Sequence, residues 1–215
     1  VFKANLPVEF NDGKLMYSAV LKMIEKTSPV LSKMIHDNRN YRPFSIVLPN
    51  KIHVICPMLE QMIGGLNGIE ITEHIDYRDL LKGNKGRVST QFHFEKTFFR
   101  KWGNINYPLP DPLMILTSWK QRWNEIFPDK IDIEIPTYEE NKRFPAKIVY
   151  ANVVTHAYRI ADYPTFTVFS GDVRIKPDLS IANEFHALSH FAEYAGTGAK
   201  TTMGAGGTTI VEYDR

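Results

Sequence analysis

The sequence predicts an α+β protein of two tandem ferredoxin-like (βαββαβ) units, with a glycine-rich loop just ahead of the last strand. Three observations point there. Strand-like and helix-like apolar periodicities follow one another in the order β-α-β-β-α-β, and that order recurs in the second half of the chain. Pro and Gly mark the helix starts and the turns between them. At 215 residues, 43% apolar and 23% charged, the chain is long enough for two small cores. The recurrence lies in element order and not in residue identity.

Residues Val1 to Phe10 alternate enough to form a strand. Gly13 opens a helix whose Leu15, Met16, Ala19, Val20, Met23 and Ile24 share one apolar face. Ser28-Pro29 supplies an N-cap and a first-turn proline for a second, short helix to about Ile35. Pro43 to Leu48 and Lys51 to Cys56 read as strands parted only by Pro49-Asn50. Pro57 starts a helix that ends at the glycines around 64 to 68, and Ile69 to Tyr77 reads as a strand. A polar linker, Leu81 to Gly86, then divides an N-terminal unit, residues 1–81, from a C-terminal unit, residues 82–215.

In the second unit Val88 to Phe94 is strand-like. Asp111-Pro112 caps a helix running through Trp119 and Trp123 to about Phe127. Lys130 to Ile135 (KIDIEI) alternates as an extra strand or loop edge would. Lys147 to Ile160 and Thr165 to Lys176 are long strands broken at Asp162-Tyr163-Pro164. Ser180 is the expected cap of a helix with Phe185, Leu188, Phe191 and Ala192 on one face, and Thr208 to Tyr213 closes the sheet.

Composition narrows the function classes. No apolar run is long enough to span a bilayer, so no membrane partner is expected. The opening residues lack a signal-peptide pattern, and Val1 is not an initiator, which leaves room for a leader ahead of it. The single Cys56 excludes an internal disulfide framework and a multi-cysteine zinc site, so a reducing cytoplasm is the expected location. A net charge of +2 is too small for a protein that binds nucleic acid indiscriminately. Charge is nevertheless concentrated: Lys82 to Lys101 holds six Lys/Arg, including Arg100 and Lys101, against Glu95 alone. Phe92, Phe94, Phe98 and Phe99 are interleaved with them. Such a stretch is either a base-stacking, backbone-tracking surface or a strand with one face in the core.

The stretch AGTGAKTTMGAGG, Ala195 to Gly207, has almost no bulky side chain. A nucleotide-binding P-loop is excluded, because registering on Lys200-Thr201 puts Ala199 and Tyr194 where the two glycines belong. The context is also reversed, since this loop follows a helix and precedes a strand. Gly196, Gly198, Gly204 and Gly206 permit main-chain N–H groups to approach an RNA backbone, with Lys200 adding charge and Thr201 and Thr202 hydroxyls. A tight connection between helix and edge strand would need the same glycines.

FAEYAGTGAKTTMGAGG, Phe191 to Gly207, resembles the glycine-rich signature of the CRISPR repeat-processing endoribonucleases of the repeat-associated (RAMP) superfamily. NDGKLMYSAVL (Asn11 to Leu21), IHDNRNYRPFSI (Ile35 to Ile46), PLPDPLMILTSWKQRWNEI (Pro108 to Ile126) and FSGDV (Phe169 to Val173) are similar to family blocks in family order. The resemblance implies cleavage within the repeats of a CRISPR precursor transcript, without metal or other cofactor. The attacking group is the RNA's own 2′-OH, and the products are a 2′,3′-cyclic phosphate and a 5′-OH. Three positions match the family's active-site arrangement: Tyr17, His36 and Arg42, the last where the family often carries lysine. The implied partners are repeat RNA, as precursor and as processed guide RNA. Effector-complex subunits and a second copy of the chain stand as further candidates.

Attack by a 2′-OH requires a base, an acid for the 5′-oxygen and positive charge on the phosphorane. Histidine titrates near neutrality, so His36 can serve as either acid or base. A phenol titrates too high to be a good base, so Tyr17 is expected to orient the 2′-OH. Arg42 would neutralise the non-bridging oxygens but cannot readily shuttle a proton. His186 and His190 have zinc-compatible spacing without an evident third ligand, and His53, His74, His93 and His156 receive no role. Two non-enzymatic readings compete: an RNA-holding subunit of a CRISPR effector complex, and a generic single-stranded RNA-binding module.

Overall fold

Two four-stranded antiparallel sheets organise the chain in the computed structural model, which describes residues 1–38, 41–66, 68–82, 89–101, 105–137 and 144–214. The first unit runs β1 (Phe2–Asn5), α1 (Gly13–Thr27), α2 (Pro29–Asp37), β2 (Phe44–Val47), β3 (Lys51–Val54), α3 (Pro57–Gly64) and β4 (Glu70–His74). Its strand order is β2-β3-β1-β4. After α4 (Tyr77–Leu80) the second unit contributes β5 (Ser89–Thr97), the hairpin β6 (Phe99–Lys101) and β7 (Ile105–Tyr107), and α5 (Pro112–Ile126). It continues with β8 (Ala146–Tyr158), β9 (Phe166–Pro177), α6 (Ala182–Ala195) and β10 (Gly207–Asp214), in the order β10-β5-β9-β8. In each sheet the unit's first strand sits centrally between its third and fourth, the ferredoxin-like arrangement. Residues 83–86 of the expected linker lie outside the described residues.

Local chemistry explains the helix starts. Asp12 accepts from the amides of Lys14 and Leu15 at the start of α1, Ser28 caps α2 with Pro29 at its first position, and Asp111 does the same before Pro112. Met16, Val20 and Ile24 of α1 lie within 1% of full burial against Phe2, Phe44 and Ile52 of the first sheet. Trp119 and Trp123 of α5 are fully buried among Phe92, Phe127, Phe185 and Phe191. Each indole N–H still finds an acceptor, Thr197 Oγ1 at 2.8 Å and the Asp129 carbonyl at 2.6 Å.

Several elements differ from expectation. The first strand stops at Asn5, because Pro7 has no N–H to donate and residues 6–10 turn to wrap the β2–β3 connection. There the Leu6 amide donates to the Asn50 carbonyl and the Phe10 amide to the Pro49 carbonyl. β4 ends at His74, and Asp76 caps the short α4 through the Arg78 amide. KIDIEI pairs with no strand among the described residues. Ile131 and Ile133 enter the core while α5 side chains take its backbone groups: Asn124 bonds Ile131 at both N–H and C=O, and Lys120 Nζ donates to the Ile133 carbonyl. Ser180 is not the helix cap; it lies in a 3-10 turn, Leu179–Ile181, capped by Asp178, and α6 starts only at Ala182. Phe92, Phe94, Phe98 and Phe99 are all buried, so the base-stacking reading of that stretch gives way to the core-strand reading.

Candidate nucleic-acid interface

The glycine-rich loop is the joint between the two units. Its Thr197 Oγ1 receives Trp119 and shares a hydrogen bond with Thr208 Oγ1. The Thr197 amide donates to the Gly206 carbonyl, the Gly206 amide to Lys96, the Ala199 amide to Phe98, and the Gly198 amide to Ser118 Oγ at 3.0 Å. Gly198, at φ +80°, shows why glycine is required: a Cβ there would lie 2.3 Å from the Phe98 carbonyl oxygen. Gly13 at the start of α1 meets the loop as closely, since its Cβ would sit 1.9 Å from the Met203 carbonyl oxygen. These glycines therefore serve close packing of the loop against α1, α5 and β5. The amides of Gly196, Gly198 and Gly206 donate to protein acceptors.

The predicted RNA-binding residues consequently divide. Gly196, Gly198, Thr201 and Gly206 are buried, and Thr201 Oγ1 has no hydrogen-bond partner. Lys200, Thr202 and Gly204 are only partly buried and form the outer lip of the loop. Arg100 is exposed on β6, while the side chain of Lys101 lies outside the described set.

Lys200 connects this lip to α1. Its Nζ lies 4.0 Å from the centroid of the Tyr163 ring, in the turn between β8 and β9. Lys14 on α1 sits over the same ring at 5.7 Å and pairs with Asp162 at 2.5 Å. Tyr17, one turn further along α1, stacks on Phe44 at 6.0 Å, and its pKa is raised by burial and then by Tyr163. A raised phenol pKa makes Tyr17 a poorer base still, which fits a positioning group. His36 is exposed in the last turn of α2. Ser32 Oγ donates to the Leu21 carbonyl, tying α2 to α1, with His36 one turn beyond Ser32 and Tyr17 one turn before Leu21.

Arg42 is engaged elsewhere. Its Nη1 donates to the Gly198 carbonyl at 2.9 Å, and burial lowers its pKa, opposed by Glu125 and reinforced by Arg100. Tyr163 thus stands next to Lys200 and within electrostatic reach of Tyr17, whereas Arg42 joins Arg100 beside α5. The Tyr163 turn gave no functional signal in the sequence, because its neighbours in space lie about 40 and 150 residues away. Among the described residues no group of three or more His, Cys, Asp and Glu is placed to hold a metal, and His186 and His190 meet edge to face, 4.5 Å between centroids.

Between the outer faces of the sheets lies a cleft of about 360 Å³ lined by Lys3, Lys51, His53 and His93. Burial holds the His53 pKa down at about 4, helped by Lys3. The unfolded chain therefore binds this proton more tightly than the folded one. Stability is complete above about pH 6.5 and falls as pH drops from there to about 4, by roughly 3 kcal/mol from this group alone. Denaturant unfolding of wild type and His53→Gln at pH 7 and pH 4.5 checks this. The variant is expected to lose most of that pH dependence, and equal slopes would remove His53 as its source.

The two ferredoxin-like units form a RAMP-like fold. A family model described as CRISPR-associated endoribonuclease Cas6 matches residues 92–208. The chain belongs to that family. Among solved structures it is similar to a Cas6 (TTHA0078) product complex, with TM-score 0.76 and 19% identity over 98% of each chain. It is also similar to the product complex of Thermus thermophilus Cas6 (TTHB231), with TM-score 0.74 and 17% identity over 97% of this chain and 98% of that one. A structure described as a RAMP protein binding different RNA substrates matches at TM-score 0.54 and 14% identity over 98% of each chain. No curated protein matches the sequence. Among the described residues no helix is long and apolar enough to cross a membrane.

Proposed function

We propose that this chain cleaves CRISPR precursor RNA within its repeats by attack of the 2′-OH on the adjacent phosphate. The 2′-O–P bond forms and the P–O5′ bond breaks, leaving a 2′,3′-cyclic phosphate and a 5′-OH. A base takes the 2′-OH proton and an acid protonates the leaving 5′-oxygen; His36 supplies one of these transfers. Tyr17 orients the 2′-OH. The observation that carries this reading is the junction at Tyr163, where the α1 face bearing Tyr17 meets Lys14 and Lys200. Cationic charge on Lys200, and on Lys14 where Asp162 does not offset it, lies beside the α1 face bearing Tyr17 and suits the stabilisation of a phosphorane. The family membership and the RNA-binding RAMP neighbour support RNA as the substrate class.

The reaction is expected to proceed in EDTA. Incubating the repeat RNA of the same genomic locus with the protein and excess chelator, then probing the 3′ end for a cyclic phosphate, tests it. Loss of cleavage on chelation, or a 3′-OH product, overturns this mechanism. Tight binding with no product over hours would favour the RNA-holding effector subunit instead.

Lys200 provides a second check. Lys200→Ala is expected to weaken repeat-RNA binding about tenfold at fixed salt and to lower the slope of log affinity against log salt by roughly 0.7–0.9. An unchanged slope would show that Lys200 does not neutralise a phosphate.

A further inference from the structure

Beside the glycine loop, on the α5 side, lies a cavity of about 1010 Å³ whose walls carry, among the described residues, four cations, Arg42, Arg100, Lys120 and Arg122, and one carboxylate, Glu125. Arg42 is partly buried and Arg100 exposed, so the cations run from the wall to the rim. Arg122 is 3% exposed and its Nε has no hydrogen-bond partner. Neutralisation within the cavity is poor. Burial raises the Glu125 pKa, and Arg42 and Arg122 only offset that in part. Lys120 is drawn toward Asp132, at 3.6 Å, and the Ile133 carbonyl.

We infer that this cavity is a second phosphate subsite, which holds a phosphodiester of the bound RNA away from the scissile linkage. The inference rests on the reading of the chain as an RNA-binding enzyme. The exposed planar guanidinium of Arg100 suits the paired oxygens of a phosphate. Among the described residues one carboxylate against four cations leaves charge for an anion to neutralise, although Arg42 and Arg122 also donate to backbone carbonyls. The volume admits a nucleotide and not merely an ion. RNA is favoured over an acidic protein because the cavity is continuous with the loop: Gly198 and Ala199 line it, and Lys200 follows immediately on the lip facing α1. A strand held at Lys200 would need only to cross the loop to reach Arg100. Arg42 thereby acts in binding, from the side of the loop where it donates to the Gly198 carbonyl.

The test measures binding in the His36→Ala background, so it does not depend on cleavage. Repeat RNAs with a single neutral methylphosphonate, walked along the strand, are titrated by fluorescence anisotropy at fixed salt. The parent protein is expected to lose about tenfold in affinity at one or two linkages remote from the cleavage site. With Arg100→Glu, unmodified RNA should bind about tenfold or more weakly, and the same linkages should cause no further loss. Arg100 is exposed, and equal melting temperatures confirm an intact fold. Undiminished RNA affinity in Arg100→Glu, or linkage sensitivity that survives the substitution, overturns the subsite. An acidic protein partner lost from the variant with RNA affinity intact overturns it too. Failure of the unmutated protein to cleave would overturn the proposed reaction and leave this binding result standing.

Discussion

His36→Ala is expected to reduce single-turnover cleavage of repeat RNA by about 10²–10⁴-fold, the usual contribution of a positioned proton-transfer group. RNA affinity should stay within about threefold of wild type, because the imidazole is exposed at the end of α2 and supports no core contact. The two readouts separate the possibilities. A fall in rate at saturating protein with unchanged affinity assigns the side chain to the chemical step. A parallel loss of both would make His36 a binding residue, and an unchanged rate would remove it from the mechanism. Tyr17→Phe is a useful companion, since it keeps the ring on Phe44 and deletes only the hydroxyl. Its effect on rate should be smaller than that of His36→Ala, as expected for a group that orients and does not transfer a proton.

Much of the fold was legible because local signals agreed. Asp12, Ser28-Pro29 and Asp111-Pro112 cap the helices that their residue types announce, and the order of periodicities gives the two sheets their strand order. The departures share one cause, the use of side chains or tertiary contacts in place of regular backbone pairing. KIDIEI alternates like a strand, yet Asn124 and Lys120 of α5 satisfy its backbone. Phe92 to Phe99 looked able to meet bases, but alternation only assigns residues to two faces and leaves open which face is covered. Here α5 and α6 cover Phe92, while Phe98 stacks on Phe166.

The candidate site was legible in a different way. Tyr17, His36 and the loop could be singled out by residue type and by resemblance, but their grouping could not. Proximity of Tyr17 to Lys200 depends on Tyr163, in a turn that belongs to the other unit. Arg42 follows His36 by six residues in sequence, yet its guanidinium donates to the Gly198 carbonyl and lines the α5 cavity. The loop's glycines carried two compatible meanings in the sequence, an approach to RNA and a tight connection. The Gly206 amide donates to the Lys96 carbonyl and the Gly198 amide to Ser118 Oγ, so these glycines serve the protein's own packing, while Lys200, Thr202 and Gly204 form the partly exposed lip.

Arg122→Met is expected to destabilise the protein by about 3–5 kcal/mol, because the guanidinium is a clamp between elements of both units. Nη1 donates to the Ala195 carbonyl at the end of α6, while Nη2 reaches the carbonyls of Arg42 at 3.2 Å and Phe44 at 3.1 Å. Removing it leaves three carbonyls to find other donors in a region almost closed to water. The opposing effect is desolvation, since burial pushes the Arg122 pKa well below its usual value and Arg42 pushes the same way. Methionine relieves that cost while keeping most of the side-chain volume, so the sign of the change shows which effect dominates. Three lost hydrogen bonds from a charged donor outweigh the relief. For a chain of this size the expected fall in melting temperature is roughly 6–20 °C. Arg122→Lys should recover little of it, because an ammonium group lacks the planar fork that reaches carbonyls on two different elements. A melting temperature equal to or above wild type in Arg122→Met would instead mean that desolvation outweighs the clamp, and that β2 and α6 are held by Ser45 Oγ on the Tyr194 carbonyl and by apolar packing.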